Sequence, residues 1–403
     1  MKHLFLSLLL IVVSHLLFAQ TIEKAKELLK ANKLTEAKTE IDNLLAQEKF
    51  QKNPEAWYTK AKIYNAVATD GALVKTFSSA RQDAFNALKK YTEIDDRMLI
   101  SLQIDGYKPI NDIYTGYYQE AATDFNARNY DKAFTGFVNA IAVSRFMNDK
   151  GWINLPLDTN SVLYAGVAAE KLNKLDDAAF YYSKLTVARV KGEGFVEIYK
   201  WVANYYYEKK NYTEAAKMLS IGKEQYPADP FWPSLELDMT RISGSKAQLF
   251  AKYEEVLASQ PSNYLYLYNY AVELYQEGYN TDPSKRPSNS DALIKKAQDN
   301  LKKALQINPA YTRGQLFMGQ ISYNAGVDIL KTDKNAALKK FDEAEPYLLQ
   351  VEKLLALQQK LSADDKADLK EALDLLITIY EQKGLKDKMK EYEVKFNEVD
   401  KKN

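Results

Sequence analysis

The sequence contains no cysteine, and its only two histidines, His3 and His15, stand close to the amino terminus. A chain without cysteine forms neither disulfides nor a thiolate nucleophile. Without a histidine after residue 15, the chain has no imidazole base for a Ser-His-Asp triad and lacks the usual protein ligands of zinc and copper. These absences exclude the commonest nucleophilic and transition-metal chemistry from residues 20–403.

The first residues are typical of a secretory signal peptide. Lys2 supplies one positive charge, an apolar stretch runs from Leu4 to Phe18, and Ala19 provides a small residue for cleavage. The stretch is shorter than the roughly 20 apolar residues of a membrane-spanning helix, although an uncleaved amino-terminal anchor is the alternative. We therefore expect residues 1–19 to be removed. The mature protein would then be exported to the periplasm or the periplasmic face of the outer membrane, with no direct membrane insertion.

Neither sign of charge dominates. Removing Lys2 from the 55 basic residues leaves 54, which equals the 54 acidic residues of the chain. Proteins that bind nucleic acid generally carry a basic excess that neutralises phosphates. The sequence therefore predicts no nucleic-acid partner, and it gives no support for a role at a membrane surface.

Glycine and proline are also scarce, with 15 Gly and 11 Pro in 403 residues. Runs of β-branched residues are nearly absent, so the composition predicts an all-α protein. By length alone, at about 150 residues a domain, the chain would hold two or three ordinary domains. An internal repeat instead predicts one helical array over residues 20–403.

The repeat is clearest between residues 197 and 230. Ala203 lies on the apolar face of a first helix, Asn211 begins a turn, and a second helix containing Ala215 ends before Pro227. Two helices and a turn occupy about 34 residues, and small residues stand where the paired helices touch. This pattern resembles the tetratricopeptide repeat (TPR) family.

Counted from the small residue of each first helix, the unit recurs along most of the chain. The recurring positions are Ala25, Ala61, Ala121, Gly166, Ala203, Leu237, Ala271, Gly319 and Ile377. Intervals near 34 residues are bare repeats, and the best matches span about residues 113–309. The resemblance implies a right-handed superhelical solenoid of about 8–9 TPR-like helix pairs with several inserted loops.

Two regions, about 231–261 and 364–403, depart from the pattern because Leu237 and Ile377 are large residues at the small-residue position. Gly384 nevertheless lies where the last turn is expected, so the chain from Ser362 onward is predicted to form the terminal pair with a polar cap. Insertions are predicted at residues 68–79, 95–111, 146–160, 276–290, 330–335 and 354–363.

The resemblance also implies where a partner binds. First helices line the concave groove of TPR proteins, and positions three before, one after and four after the small residue face it. Aromatic residues recur at these positions, and tyrosine is common in contact sites. The groove residues selected are Tyr58, Lys62, Tyr118, Phe125, Lys200, Asn204, Tyr207, Tyr268, Tyr275, Gln320 and Tyr323.

Some of these residues have an alternative interpretation. Tyrosine also fills TPR cores, so Tyr268 and Tyr275 belong either to the groove or to the core. Lys200 and Asn204 resemble part of the carboxylate clamp of chaperone-binding TPR domains, but Leu235 occupies a place that the clamp reserves for a polar residue. No clamp is predicted.

The sequence favours a non-catalytic scaffold that needs neither cofactor nor metal and binds an envelope protein or peptide. One alternative is a carbohydrate-binding accessory protein of an uptake system, although the four tryptophans fall at packing positions or in loops. A remoter alternative is a carboxylate-based hydrolase. The adjacent pairs Asp176–Asp177 and Asp364–Asp365 point about 100° apart on a helix and stand at predicted helix starts, which favours a dipole role over catalysis.

Overall fold

The computed structural model describes residues 22–95, 99–358 and 360–401, and every regular element in these ranges is helical. The predicted signal peptide, residues 1–19, lies outside them. The described chain divides into two compact units, the first ending at Asp229 and the second beginning at Pro230. The all-α prediction is confirmed.

The first unit contains five antiparallel helix pairs, α1/α2, α4/α6, α8/α9, α10/α11 and α12/α13, with three short helices between them. Its helices are α1 (residues 22–30), α2 (Leu34–Leu45), α3 (Glu48–Gln51), α4 (Pro54–Thr69), α5 (Leu73–Thr76), α6 (Ala80–Ile94), α7 (Ile100–Ile104), α8 (Lys108–Asn126), α9 (Tyr130–Asp149), α10 (Thr159–Lys171), α11 (Leu175–Val187), α12 (Phe195–Glu208) and α13 (Tyr212–Gln225).

The second unit contains four pairs, α14/α15, α16/α17, α18/α19 and α20/α21. Its helices are α14 (Phe231–Ser243), α15 (Lys246–Ser259), α16 (Tyr264–Gly278), α17 (Ser290–Ile307), α18 (Thr312–Ile329), α19 (Lys334–Ala356), α20 (Ala363–Gln382) and α21 (Lys386–Glu398), with short 3-10 helices at Pro283–Lys285 and Val399–Lys401. The described residues therefore hold nine pairs, within the predicted number.

Five of these pairs share one turn. Asn32, Arg128, Asn173, Lys210 and Gly384 each follow a first helix and have left-handed backbone, with φ of 55°, 63°, 57°, 58° and 73°. In each turn the next residue's N–H donates to the carbonyl five positions earlier, at 2.8–2.9 Å. This is the Schellman arrangement, which satisfies the last carbonyls of a helix. The repeat is thus present in the backbone as well as in the residue spacing.

The predicted small residues stand where paired helices come closest. A Cβ added to Gly166 would lie 2.5 Å from the Tyr182 ring, and one added to Gly319 would lie 2.6 Å from Leu348. Ile377, seven positions before Gly384, keeps the register but is only partly buried. The departure of the last pair from the repeat pattern stays a prediction.

The insertions connect helices and pack onto them. Trp152, between α9 and α10, lies 5.4 Å from the ring of Tyr107, which precedes α8, and 5.5 Å from Phe146. Between α16 and α17, Arg286 forms an ion pair with Asp328 at 2.8 Å. Apolar and charged anchors therefore hold these loops against their own unit.

The predicted insertion at residues 330–335 is wrong. Only residues 330–333 separate α18 from α19, because the Asp333 side chain caps α19 by accepting a hydrogen bond from the Ala336 N–H at 2.9 Å. The extra length lies in the helices, which have 18 and 23 residues. By comparison, α12 and α13 have 14 each.

Candidate functional site

The first unit has a cavity of about 620 Å³ that opens between first helices. Leu29 of α1 lines one side, and Lys62 and Asn65 of α4 line the next. The remainder comes from Asp105 and from α8, chiefly through Lys108, Asp112, Thr115, Gly116 and Gln119. First helices thus provide nearly the whole lining, as the TPR resemblance implies for a binding surface.

A charged triad stands at one side of this cavity. Asp105 accepts hydrogen bonds from Lys62 Nζ at 2.8 Å and from the Tyr58 hydroxyl at 2.6 Å. Burial alone would raise the pKa of Asp105, but these two donors outweigh it and hold the pKa below its ordinary value. Burial, followed by the hydrogen bond to Asp105, raises the pKa of Tyr58. The carboxylate therefore stays charged, and Lys62 keeps only part of its hydrogen-bonding capacity for a ligand.

The rest of the cavity combines apolar residues, such as Leu29 and Pro109, with polar groups whose charges are largely compensated. Lys108 and Asp112 form a second ion pair at 2.5 Å. The Asn65 side-chain oxygen is buried and has no hydrogen-bond partner among the described residues, although buried polar groups are normally satisfied. Amides, hydroxyls and compensated charges suit hydrogen bonding to a polar segment with both donors and acceptors, such as a peptide main chain.

An aromatic row continues along the first helices α8 and α10. Phe125 lies 5.4 Å from Tyr164, which is 37% exposed. Tyr114 stacks on Tyr118 at 6.4 Å between ring centroids, and its hydroxyl donates to Asp158 at 2.9 Å. Burial and the charge of Asp158 raise the pKa of Tyr114 to about 12. The row offers rigid, partly exposed rings next to the cavity.

The remaining groove residues predicted in the first unit already have partners inside the protein. Lys200 forms ion pairs with Glu197 at 2.9 Å and Asp229 at 2.8 Å. Hydrogen bonds to Asp229 and Glu197 raise the pKa of Lys200. Asn204 donates to Glu208 at 2.7 Å. Tyr207, partly buried, contacts the Tyr212 ring at 6.0 Å.

Two predicted groove tyrosines are core residues. Tyr58 is 3% exposed and Tyr275 is 8% exposed. Tyr58 packs against the Tyr91 ring at 5.0 Å, and the Tyr275 hydroxyl accepts a hydrogen bond from Asn324 at 3.0 Å. The prediction that their rings face an accessible groove is wrong, because each ring points between helices of its own unit. For Tyr275, this is the core alternative given above.

In the second unit, the other three predicted groove residues are partly buried. Tyr268 lies edge-on to the Tyr311 ring at 5.1 Å. Gln320 donates to Glu371 of α20 at 2.5 Å. Tyr323 tilts against Phe341 at 5.5 Å. Gln320 links two successive first helices, α18 and α20, whereas Tyr323 packs within its own pair.

Sequence reasoning missed several residues of the cavity. Asp105 lies in an insertion that does not follow the repeat, and Thr115 and Gln119 are not at the three positions projected onto the groove. Asn65 is at the position four after Ala61 but was not among the residues selected. Thr115 lies one helical turn before Tyr118 and Gln119 one turn before Ala122, so extending the projection on α8 would have selected both. Tyr164 lies two positions before Gly166, also outside the projection.

The acidic pairs have helix-start roles. Asp176 and Asp177 occupy the first turn of α11, and Asp364 and Asp365 that of α20. Tyr205 and Lys209 contact Asp176 and lower its pKa. Within the described ranges, no group of three or more acidic or histidine side chains is arranged to hold a metal ion. The same ranges contain no helix with the length and apolarity to cross a membrane.

No protein-family model matches the chain, and no curated protein matches it. Among solved structures, a TPR repeats protein from Bacteroides fragilis is 18% identical and covers 69% of this chain and 97% of its own, with a TM-score of 0.26. The TPR2AB domain:pHSP90 complex of yeast Sti1 is 15% identical, with 77% and 98% covered and a TM-score of 0.26. A human IFIT1 dimer with m7Gppp-AAAA is 12% identical, with 88% and 94% covered and a TM-score of 0.27.

The recurring turn and the close contacts at small residues, rather than overall superposition, identify the fold. It is a TPR-like helical repeat. In each of the two units, consecutive pairs of such helices pack side by side along the chain.

Proposed function

We propose that this protein is a non-catalytic scaffold of the bacterial cell envelope that binds a peptide segment of a partner protein on the first helices of its first unit. The observation that carries the proposal is the 620 Å³ cavity, whose lining comes almost entirely from α1, α4 and α8. Binding pockets of small ligands and chain segments commonly measure about 300–1,000 Å³.

The chemistry of the cavity supports a peptide. Its charges are compensated within the Lys62–Asp105 and Lys108–Asp112 pairs. The remaining polar groups are amides and hydroxyls that both donate and accept, as a main chain does.

The aromatic row supports a side-chain anchor beside that main-chain site. Tyr118, Phe125 and Tyr164 are partly exposed and held by neighbouring rings. Rigid aromatic rings lose little conformational entropy on binding, and they dominate the energetics of many interfaces. An apolar side chain of the partner would pack against this row.

The decisive experiment compares partner recovery by two matched variants. The first, Tyr118→Ala with Phe125→Ala and Tyr164→Ala, removes the row. The control, Phe180→Ala with Val187→Ala, removes side chains of the second helix α11 that are 54% and 48% exposed. Tagged proteins would be purified from native envelopes, and the co-purified proteins would be quantified by mass spectrometry.

We expect wild type and the control to recover the same envelope protein, and the triple variant to lose at least tenfold of it, since a central aromatic anchor contributes about 2 kcal/mol or more. Circular dichroism would establish that both variants are folded. Equal recovery by all three proteins would refute the assignment of the row.

Export is tested separately. The opening sequence supports a signal peptide cleaved after Ala19. Mass spectrometry of the protein from its native cells should find an amino terminus at Gln20 in the periplasmic or outer-membrane fraction. An intact Met1 in the cytoplasmic fraction would contradict the envelope location.

A further inference from the structure

A second cavity lies in the other unit, on its second helices. We call it the second-helix cleft. It measures about 920 Å³, with α17 and α19 as its sides and α18 as its floor. It is separate from the candidate site above, and no residue chosen from the repeat pattern lines it.

Two polar side chains in the floor are more than nine-tenths buried and still have free hydrogen-bonding capacity. Gln315 is 7% exposed and Ser322 is 4% exposed. The Gln315 amide nitrogen donates to the Pro309 carbonyl at 2.8 Å, whereas its oxygen accepts no hydrogen bond within the described residues. The Ser322 hydroxyl makes no hydrogen bond within the described residues, and both side chains line the cleft. The floor therefore offers an amide oxygen and a hydroxyl to a ligand.

The sides of the cleft add further neutral groups. Gln298 of α17 and Gln350 of α19 line it, and within the described chain neither side chain makes a hydrogen bond to the protein. With Gln315, three amides therefore face the same space. An amide offers a donor and an acceptor side by side, which matches a ligand whose groups both donate and accept.

The charges of the cleft lining limit the class of ligand that it can bind. Lys340 and Glu343 bind each other at 2.8 and 2.9 Å, which compensates both charges. Lys302 is then the one cation of the lining without an ionic partner in the described chain. A multiply charged anion would need more cations, and a cationic ligand would need a free carboxylate. The cleft favours a neutral, polar ligand.

The lining also has an apolar part, which Pro309, Met318, Pro346 and Tyr347 supply. Met318 lies between Gln315 and Ser322 on the floor, and Tyr347 on α19 is partly buried next to Pro346. Tyr347 offers one flat apolar face with a hydroxyl at its end. A peptide would bring side chains that need several apolar pockets, whereas a sugar ring presents one C–H face surrounded by hydroxyls.

We propose that the second-helix cleft binds a neutral oligosaccharide, with its hydroxyls on Gln315, Ser322, Gln298 and Gln350 and one ring on Tyr347. This function is independent of peptide binding in the first unit. Loss of one would leave the other intact.

The test uses the full mature protein and three neutral probes, maltotriose, cellotriose and N,N′,N″-triacetylchitotriose, in calorimetric titrations. Ser322→Ala removes a hydroxyl that makes no hydrogen bond in the part of the chain that the structure describes, so it should preserve the fold, and Gln315→Met removes the amide. Gln320→Met is the matched control, because Gln320 lies on the same helix but bonds Glu371 outside the cleft.

We expect saturable binding of at least one probe, about tenfold weaker in Ser322→Ala and in Gln315→Met and unchanged in Gln320→Met, since tenfold corresponds to about 1.4 kcal/mol and one lost hydrogen bond to roughly that amount. Failure of all three sugars to bind would overturn the proposal. Sugar binding that neither cleft substitution weakens would also overturn the proposal. A neutral blocked tripeptide, acetyl-Gly-Ser-Gly-amide, that binds in place of the sugars with the same dependence on Ser322 would assign the cleft to peptides and equally overturn it.

Discussion

The guanidinium of Arg81 lies directly over Gly116, so close that a Cβ on this glycine would stand 1.8 Å from Nη1. Arg81 is 6% exposed and is held in place by Glu120 at 2.6 Å and by the Ala68 carbonyl at 3.2 Å. The arginine, which lies on α6, thereby ties α4 and α6 to helix α8. Only a glycine at position 116 leaves room for this side chain.

Gly116→Ala should therefore destabilise the first unit. Displacing a packed, hydrogen-bonded group costs roughly 1–3 kcal/mol, more than the 0.5–1 kcal/mol that alanine contributes to a helix. Urea denaturation would measure the change in free energy of unfolding.

Gly71→Ala provides the control for Gly116→Ala, because among the described residues beyond its two chain neighbours no atom lies within 4 Å of a Cβ there. In an Arg81→Met background the penalty should disappear, and the alanine should stabilise the helix. A loss of stability that persists without Arg81 would contradict the explanation.

A recurring link between tyrosine hydroxyls and carboxylates leads to a second prediction. The Tyr64 hydroxyl donates to both oxygens of Asp42, at 2.8 and 2.6 Å, and joins α4 to α2. Tyr64→Phe should lower the free energy of unfolding by about 1.5–3 kcal/mol, the usual contribution of a hydrogen bond to a charged group. Tyr130→Phe is the control, since its hydroxyl has no hydrogen bond within the described residues. Equal effects of the two substitutions would show that the hydrogen bond from Tyr64 to Asp42 does not stabilise the fold.

The third prediction concerns acid. Burial would raise the pKa of Glu345, but hydrogen bonds from Lys383 and Tyr380, at 2.5 and 3.0 Å, lower it below the ordinary value of 4.5. Its folded pKa is thus depressed, so its stabilising contribution is present above about pH 4.5 and is lost as the pH falls through the folded pKa.

Glu345→Gln should cost roughly 1–3 kcal/mol at pH 7 and progressively less as the pH falls below 4.5. Urea midpoints of both proteins between pH 7 and pH 3 would measure this. Glu343→Gln, whose side chain is 53% exposed, should differ from wild type by less than about 1 kcal/mol throughout. If the free energies of unfolding of Glu345→Gln and wild type differed by the same amount at every pH, this pH dependence would be contradicted.

The sequence was sufficient for the helix pairs because their information is local. The alternating run from Tyr264 to Tyr270 resembles a strand, but its spacing in the repeat predicted a helix, and α16 confirms this. The small residues Gly166 and Gly319 and the turn at Gly384 followed from the same periodicity. Each depends on positions within about one unit of the repeat.

The site was less predictable because its partners lie outside that periodicity. Asp105 comes 43 positions after Lys62 and 47 after Tyr58, in an insertion with no counterpart in other pairs. The carboxylate that fixes Lys200 belongs to Asp229, beyond the end of its own pair. The sequence pattern also did not distinguish exposed from buried side chains, since Tyr58 follows the groove pattern and is nevertheless buried.

The shared left-handed turn limits the melting temperature of this protein. Arg128 and Lys210 hold a backbone conformation that costs a residue with a Cβ about 1–2 kcal/mol, whereas the last pair uses Gly384 in the same place. Two turns of the first unit thus keep a side chain where glycine fits better. Glycine at these two exposed positions should raise the melting temperature without altering a packed residue.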